Sequence, residues 1–376
     1  MPKLQTITIY DPAPGGVPWE AINAIVQVPQ LRNLHISGLL DYRRILPPET
    51  EQTLRLPVNS LVNIDYPSSG CRRVSATETK LLSVLLRQAA TQRSLETLII
   101  PSECAPLDYF STEEFPSLRE LSLTGHRQVL ISRSAAQQYV PYISILANMP
   151  RLRKLVLTLA QPVDLPRQAI WPVGMPSKFP CADLEELLVS YPHPDDKFYA
   201  HLPLTLRRLS LRCWPRHFLH ILDHDRADMR RLGWHSPILS SSEMLRILRR
   251  CPARNVRRLE VEFEDDGSGG DLCRCIADVF PQLQYLVFYR YRRAGAAATP
   301  ATLGQALAPL RDLRILLCHL DFEDAPHPFA RDFDFISIPP SLQHAADVLA
   351  CSLASSVEVI GILQRANISK IWTTCP

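Results

Sequence analysis

One spacing returns from one end of this 376-residue chain to the other: an apolar residue, two of any type, an apolar residue, one of any type, and a third apolar residue. Its clearest statement is Leu206-Arg-Arg-Leu209-Ser-Leu211, in which Leu209 and Leu211 alternate with Arg208, Ser210 and Arg212. Alternation with period two places the leucines on one face of a short strand and the polar side chains on the other. With Ile, Val, Phe or Cys allowed for Leu, the phrase begins at residues 4, 31, 95, 118, 152, 184, 206, 256, 283, 313 and 357. A weaker copy, Leu61-Ile64-Tyr66, brings the set to twelve. Successive starts lie 22 to 50 residues apart, against roughly 20 to 29 for the standard leucine-rich repeat. A single match arises by chance in any leucine-rich chain. Pro116-Ser-Leu-Arg-Glu-Leu-Ser-Leu and Pro281-Gln-Leu-Gln-Tyr-Leu-Val-Phe, however, share a leading Pro as well as the spacing.

A chain this long exceeds the roughly 250 to 300 residues that one globular core supports. No linker-like stretch divides it, so the pattern predicts a single leucine-rich-repeat domain over 1–376. The expected class is α/β: an irregular horseshoe-shaped solenoid with a parallel sheet on its concave side and helices outside. Apolar spacing predicts helices over 18–28, 78–87, 134–148, 240–250, 271–280, 303–310 and 341–353, several followed by a short Pro-bearing turn and a strand. The poorly patterned stretch 41–70, with Pro47, Pro48, Pro57 and Pro67, predicts a long loop within the domain. Leu4, Ile7 and Ile9 open the chain inside a repeat, so the first strand is expected to lack a polar cap.

Charge does not choose a partner: the formal net charge is only +3. No basic segment followed by an apolar run opens the chain, and nowhere are there the ~18 consecutive apolar residues of a membrane span. An intracellular protein, cytoplasmic or nuclear, without a membrane partner is expected. Ten cysteines are scattered without a C-x-x-C pair, which predicts reduced and mostly buried thiols. Asn367-Ile-Ser369 fits a glycosylation acceptor, but the expected compartment would leave it unused.

Three stretches invite a chemical reading. His217, His220 and His224 could share one helix face and offer imidazoles to zinc. The competing reading, in which Phe218, Leu219, Ile221 and Leu222 are buried and the histidines meet solvent, is the one taken here. Tyr289-Arg-Tyr-Arg-Arg293 interleaves aromatic and basic residues in a way that could stack on nucleobases. A solvated strand end, with Tyr289 and Tyr291 on one face and Arg290 and Arg292 on the other, fits the small net charge better. The acidic run Glu262 to Asp266 followed by Gly-Ser-Gly-Gly270 predicts a flexible loop. Cys273 and Cys275, at i and i+2, point to different sides of a helix. No G-x-S-x-G, P-loop or H-E-x-x-H motif occurs, so neither enzymatic activity nor a metal or other cofactor is expected.

The remaining candidate is the surface between the leucines, which lines the concave side of such a solenoid. Its middle carries Arg208, Arg212, Arg258, Glu260 and Glu262, and its later part Tyr285, Tyr289 and His319. Arginine and tyrosine are common anchors of protein interfaces, so these eight residues form the candidate partner-binding face. Equally, Arg and Glu on neighbouring strands could simply neutralise one another.

The repeats Leu206-Arg-Arg-Leu-Ser-Leu and Leu152-Arg-Lys-Leu-Val-Leu, the Pro-rich loops and Arg230-Arg-Leu-Gly-Trp-His235-Ser-Pro resemble the repeat region of fungal F-box/leucine-rich-repeat proteins. The resemblance spans most of the chain but includes no F-box. It implies a non-enzymatic protein-binding solenoid that recognises substrate for a ubiquitin ligase of the Skp/cullin/F-box type, with a Skp-type adaptor as a second partner. A stand-alone scaffold or regulator is the alternative, and a nucleic-acid binder using Arg290, Arg292 and Arg293 the third reading.

Overall fold

The computed structural model describes residues 4–10, 16–37, 61–67, 76–91, 93–127, 141–162, 166–175, 178–212, 234–235, 237–292, 299–322, 340–365 and 372–374. The chain forms two compact units, Met1–Pro162 with Gly174–Leu184 and Val163–Val173 with Glu185–Pro376. In the first, six parallel strands lie side by side in chain order: β1 (Thr6–Tyr10), β2 (Asn33–Ser37), β3 (Asn63–Asp65), β4 (Thr97–Pro101), β5 (Glu120–His126) and β6 (Lys154–Pro162). Its helices are α1 (Trp19–Val26), α2 (Ala76–Thr91), α3 (Leu107–Thr112) and α4 (Tyr142–Leu146).

The second unit contains β7 (Glu186–Val189), β8 (Arg208–Leu211), β9 (Trp234–His235), β10 (Leu239–Ser240), β11 (Arg258–Asp265), β12 (Tyr285–Arg292), β13 (Ile315–His319), β14 (Val359–Arg365) and β15 (Trp372–Thr374). The strands β7, β8, β11, β12, β13 and β14 pair in parallel in that order, and β15 closes antiparallel on β14. Beyond the end of β8, β10 takes over its side of β11. Helices α5 (Ser241–Arg249), α6 (Gly269–Val279), α7 (Pro300–Leu307) and α8 (Pro340–Ser352) stack successively on one another. This is the α/β leucine-rich-repeat fold. Among the described residues, no helix is long and apolar enough to cross a membrane.

All twelve phrases fall into register. The residue preceding the second apolar position forms one cross-strand row in each unit: Thr6, Asn33, Asn63, Thr97, Glu120 and Lys154 in the first, and Glu186, Arg208, Arg258, Tyr285, Ile315 and Val359 in the second. The second apolar position itself is at most 1% exposed in ten of the twelve, from Leu34 to Leu316. It is half-buried at Ile7 and Ile360, each without a described parallel neighbour on one side.

One backbone device enforces the register. At every step inside a unit, the carbonyl after the first apolar position accepts two consecutive amides of the next phrase. Arg32 and Asn33 donate to Gln5 at 2.8 and 2.9 Å, and Arg257 and Arg258 donate to Arg207 at 2.8 and 3.0 Å. A second device closes the approach to each strand. The amides of Leu118, Leu152 and Leu283 donate to the carbonyls of Phe115, Met149 and Phe280, three residues earlier. Pro116, Pro150 and Pro281 occupy the next position of those turns, where a fixed φ near −65° suits a type I or II turn. The leading Pro of the sequence phrase is thus a turn former.

The long loop expected over 41–70 is interrupted. Residues 61–67 carry β3, with Leu61 and Ile64 each 1% exposed, so the weak phrase is a true repeat whose polar neighbours hid it. The helix expected over 134–148 is described only at its end, as α4. Short turns of helix at Leu107–Thr112, Ser102–Cys104 and Lys197–His201 have too few apolar residues for periodicity to reveal.

The flexible loop expected after Glu262 is also absent. β11 continues to Asp265, and Gly269 already begins α6. Asp265, 2% exposed, accepts from the amides of Gly267 (2.9 Å) and Gly269 (3.0 Å) and from Arg290 Nε (2.7 Å). Gly267 adopts φ +100°, and a Cβ at residue 269 would stand 2.6 Å from the Asp265 carboxylate. The glycines allow a tight turn around a carboxylate. Asp266 fastens the other side, accepting from Ser241 Oγ at 2.6 Å and Ser242 Oγ at 2.5 Å.

Burial alone would raise the Asp265 pKa, but the Arg290 hydrogen bond and charge and the two glycine amides hold it below the usual carboxylate range. A depressed pKa contributes stability above the unfolded-state value of about 3.9, and that stability is lost as pH falls through the folded value. Asp265→Asn strands the buried Arg290 and should cost on the order of 3–5 kcal/mol at pH 7, with a smaller difference at pH 3. Urea unfolding at both pH values checks this, and equal stabilities at pH 7 would contradict it.

Candidate functional site

The face of the sheet opposite the leucines is organised in the second unit around Glu260. It is the third residue of β11 and is 3% exposed. Arg208 Nη2 donates to it at 3.2 Å from β8, Arg258 Nε at 2.9 Å from its own strand, and Arg212 Nη1 at 3.1 Å from just beyond β8. Ser210 Oγ donates to its second oxygen at 3.2 Å. Period-two alternation and the parallel register put Arg208, Ser210, Arg258 and Glu260 on the same face of adjacent strands. Burial would raise the Glu260 pKa, but the charges of Arg212, Arg208 and Arg258 outweigh it and hold the group ionised, below its ordinary range.

Two of these guanidiniums also stack on tyrosine. Arg258 lies over the Tyr285 ring at 4.2 Å from its centroid, and Arg212 over Tyr289 at 4.7 Å. Attraction of a cation to the ring face adds to the ion pairs. The arginines are therefore fixed from two sides, by a carboxylate beneath and an aromatic ring beside them.

Of the eight residues named from the sequence, the structure brings all onto one face but divides them by access. Arg208, Arg212 and Arg258 keep side-chain exposures of 31%, 25% and 40%, and Tyr285 is half-buried. Glu260, Glu262, Tyr289 and His319 are 2–6% exposed, so as they stand they support the face instead of offering contacts. Val287, Tyr289, Tyr291 and Leu363 form a small apolar cluster on this side of the sheet, with Ile238, Tyr285 and Leu317 against it. Tyr291 donates to Glu262 at 2.9 Å and its ring meets the His319 ring at a tilt, 5.5 Å between centroids, while His319 Nδ1 lies 3.2 Å from the Leu363 carbonyl. Burial pushes the Tyr289 hydroxyl up to about 12. The signal for this second layer is visible in the sequence, since Tyr285, Val287, Tyr289 and Tyr291 fill the non-leucine positions of β12 with apolar groups.

Cross-strand neutralisation is real, and uneven. In the first unit the same row pairs with itself: Asn33 donates to Thr6 at 2.9 Å, Asn63 donates to Asn33, and Lys154 lies 2.7 Å from Glu120. His35 and Asp65 meet at 2.6 Å one row on. In the second unit three arginines share one buried carboxylate, with Glu186 3.8 Å from Arg208.

The aromatic-basic stretch departs from expectation. Arg290, expected at a solvated strand end, is 3% exposed and locked to Asp265 and the Leu320 carbonyl, and Tyr289 and Tyr291 are buried. Neither can stack on a nucleobase without dismantling the face. Arg293 and the histidines 217, 220 and 224 lie outside the described residues. Cys273 and Cys275 are buried on α6, and burial pushes Cys273 up to about 12. Among the described residues no group of three or more His, Cys, Asp or Glu converges as a metal site would.

Glu260→Gln leaves three guanidiniums around an uncharged group and should destabilise the chain by about 3–5 kcal/mol in urea unfolding. Arg257→Ser, on the same strand start but with no ion pair among the described residues, should change stability by no more than about 0.5 kcal/mol. Equal effects of the two variants would contradict the central place given to Glu260.

No protein-family model matches the chain, and no curated protein matches it. Solved structures similar to it include the yeast Rad7 and Elc1 complex, at 14% identity and TM-score 0.39, covering 86% of this chain and 72% of the other. A leucine-rich-repeat protein of Leptospira interrogans is similar at 16% identity and TM-score 0.31, with 79% and 68% covered.

Proposed function

We propose that the chain is a non-enzymatic protein-binding repeat protein, and that the accessible arginine-tyrosine edge of the second unit's strand face is its contact surface. The observation that carries this reading is the pre-ordering of Arg208, Arg258 and Tyr285. Side chains already immobilised lose little conformational entropy when a partner arrives, which is the main cost that long arginines otherwise impose on an interface. Arginine and tyrosine also recur among the few residues that dominate interface energies. The face offers guanidinium hydrogen-bond donors and aromatic ring surface.

Within this reading, substrate recognition for a Skp/cullin/F-box-type ligase is supported by the repeat resemblance, and a scaffold without a ligase link is the alternative. The test is affinity purification of the tagged 376-residue chain from its native cell, in parallel with Arg258→Ala/Tyr285→Ala. A partner recovered reproducibly with the parent should fall at least tenfold with the variant, since losing two anchors costs about 2 kcal/mol or more. A Skp-type adaptor and a cullin beside that partner would support the ligase. Unchanged recovery would place binding elsewhere.

A further inference from the structure

The starts of strands β8, β11, β12 and β13 carry more positive charge than the face can neutralise. The residue after the first apolar position of each phrase reads Arg207, Arg257, Gln284 and Arg314, and the next reads Arg208, Arg258, Tyr285 and Ile315. Those eight side chains include five arginines and no carboxylate. Arg207, Arg257 and Arg314 are exposed. The Arg207 guanidinium donates to the Asn255 carbonyl at 3.3 Å, Arg314 lies 3.9 Å from an equally exposed Glu358, and neither Arg207 nor Arg257 has an ion pair among the described residues.

The corresponding positions of the first unit mix signs, with Arg119 3.8 Å from Glu96 and Lys154 2.7 Å from Glu120. The surplus is therefore local and not a property of the repeat. We infer that this strand-start patch is a docking site for a short acidic segment of a partner protein, its Asp or Glu carboxylates paired to Arg257, Arg207 and Arg314 at the rim and to Arg208 and Arg258 beside Tyr285. This rests on the protein-binding reading above and assigns the chemistry of the partner.

Geometry sets the length. Four parallel strands about 4.8 Å apart span ~14 Å, which about five residues of extended chain cover at ~3.3 Å each. Planar guanidiniums held by Glu260 and Tyr285 suit forked pairing with carboxylates. A nucleic-acid strand fits less well. The patch is bracketed by Glu186 on β7 and Glu358 before β14, so a phosphate track could not continue past it, and the few phosphates engaged would give weak binding.

The test uses the purified full chain and three fluorescent probes: a peptide with six consecutive Glu, its six-Gln counterpart, and a twelve-nucleotide single-stranded DNA. The Glu peptide should bind in low salt and the Gln peptide should not. Arg257→Glu/Arg314→Glu should weaken Glu-peptide binding more than tenfold, while Arg32→Glu/Arg151→Glu, the same charge change at exposed positions of the first unit, should leave it within twofold. Far-UV circular dichroism and thermal unfolding verify folding, and Arg257→Gln/Arg314→Gln substitutes if the reversal unfolds the chain.

No peptide binding, or equal loss in both double variants, overturns the inference; tighter binding of the DNA through the same arginines overturns it in favour of nucleic acid. The two levels of the reading fail separately. A cellular partner that is lost with Arg258→Ala/Tyr285→Ala while the Glu peptide does not bind leaves protein binding intact and removes only the acidic partner.

Discussion

A single carbonyl per repeat, shared between two consecutive amides of the next, is the interaction on which the rest of this structure depends. It recurs from Gln5 to Arg119 in the first unit and from Glu185 to Arg314 in the second, whatever side chain the residue carries. Because the bond belongs to the backbone, the starts of successive phrases can lie 22 to 50 residues apart without disturbing the strands. A one-residue slip would send every leucine of a strand to the opposite face. Leucine burial and the shared carbonyl thus select the same register, and neither has to be strong alone.

Register turns a linear sequence into rows of side chains about 4.8 Å apart, and the rows are where the two units part. In the first unit they are short polar groups and opposite charges that satisfy one another. In the second, one carboxylate lies beneath three guanidiniums, a tyrosine cluster closes part of the face, and arginines accumulate at the strand starts. Burying Glu260 at 3% exposure would be costly without partners. With them it serves as an internal counter-ion that holds Arg208, Arg212 and Arg258 in position. The buried pair of Asp265 and Arg290 does the same for the turn into α6, and so fixes where β11 ends.

Much of the fold is legible in the sequence because the leucine spacing, the leading prolines and the amphipathic helices each report on local geometry. Leu61-Ile64-Tyr66 shows how far this extends, for even a degraded phrase proves to be a buried strand. What misleads is charge. The run Glu262 to Asp266 reads as a solvated loop because acidic residues usually face water. Its ligands, Arg290 and the serines of α5, are distant in sequence and come together only through the register. Tyr289 to Tyr291 misleads for the same reason. Of the site, the face and its eight residues can be read by alternation, but which of them are reachable cannot, since burial of Glu260, Tyr289 and His319 depends on neighbouring strands. The strand-start arginines escape notice because Leu-Arg and Val-Arg look like ordinary solvated positions until the strands are set side by side.

Hydrogen–deuterium exchange resolved to single amides tests the shared-carbonyl register most directly, above all at Arg257 and Arg258, whose consecutive amides both donate to the Arg207 carbonyl. If the register is as described, the two amides exchange slowly and together, with protection close to that of Leu259 in the strand interior, and the pair Gln284 and Tyr285 behaves alike. Rapid exchange of one member of each pair, with the other protected, would mean strands offset by one residue, and with them the rows of side chains on which the binding face is built.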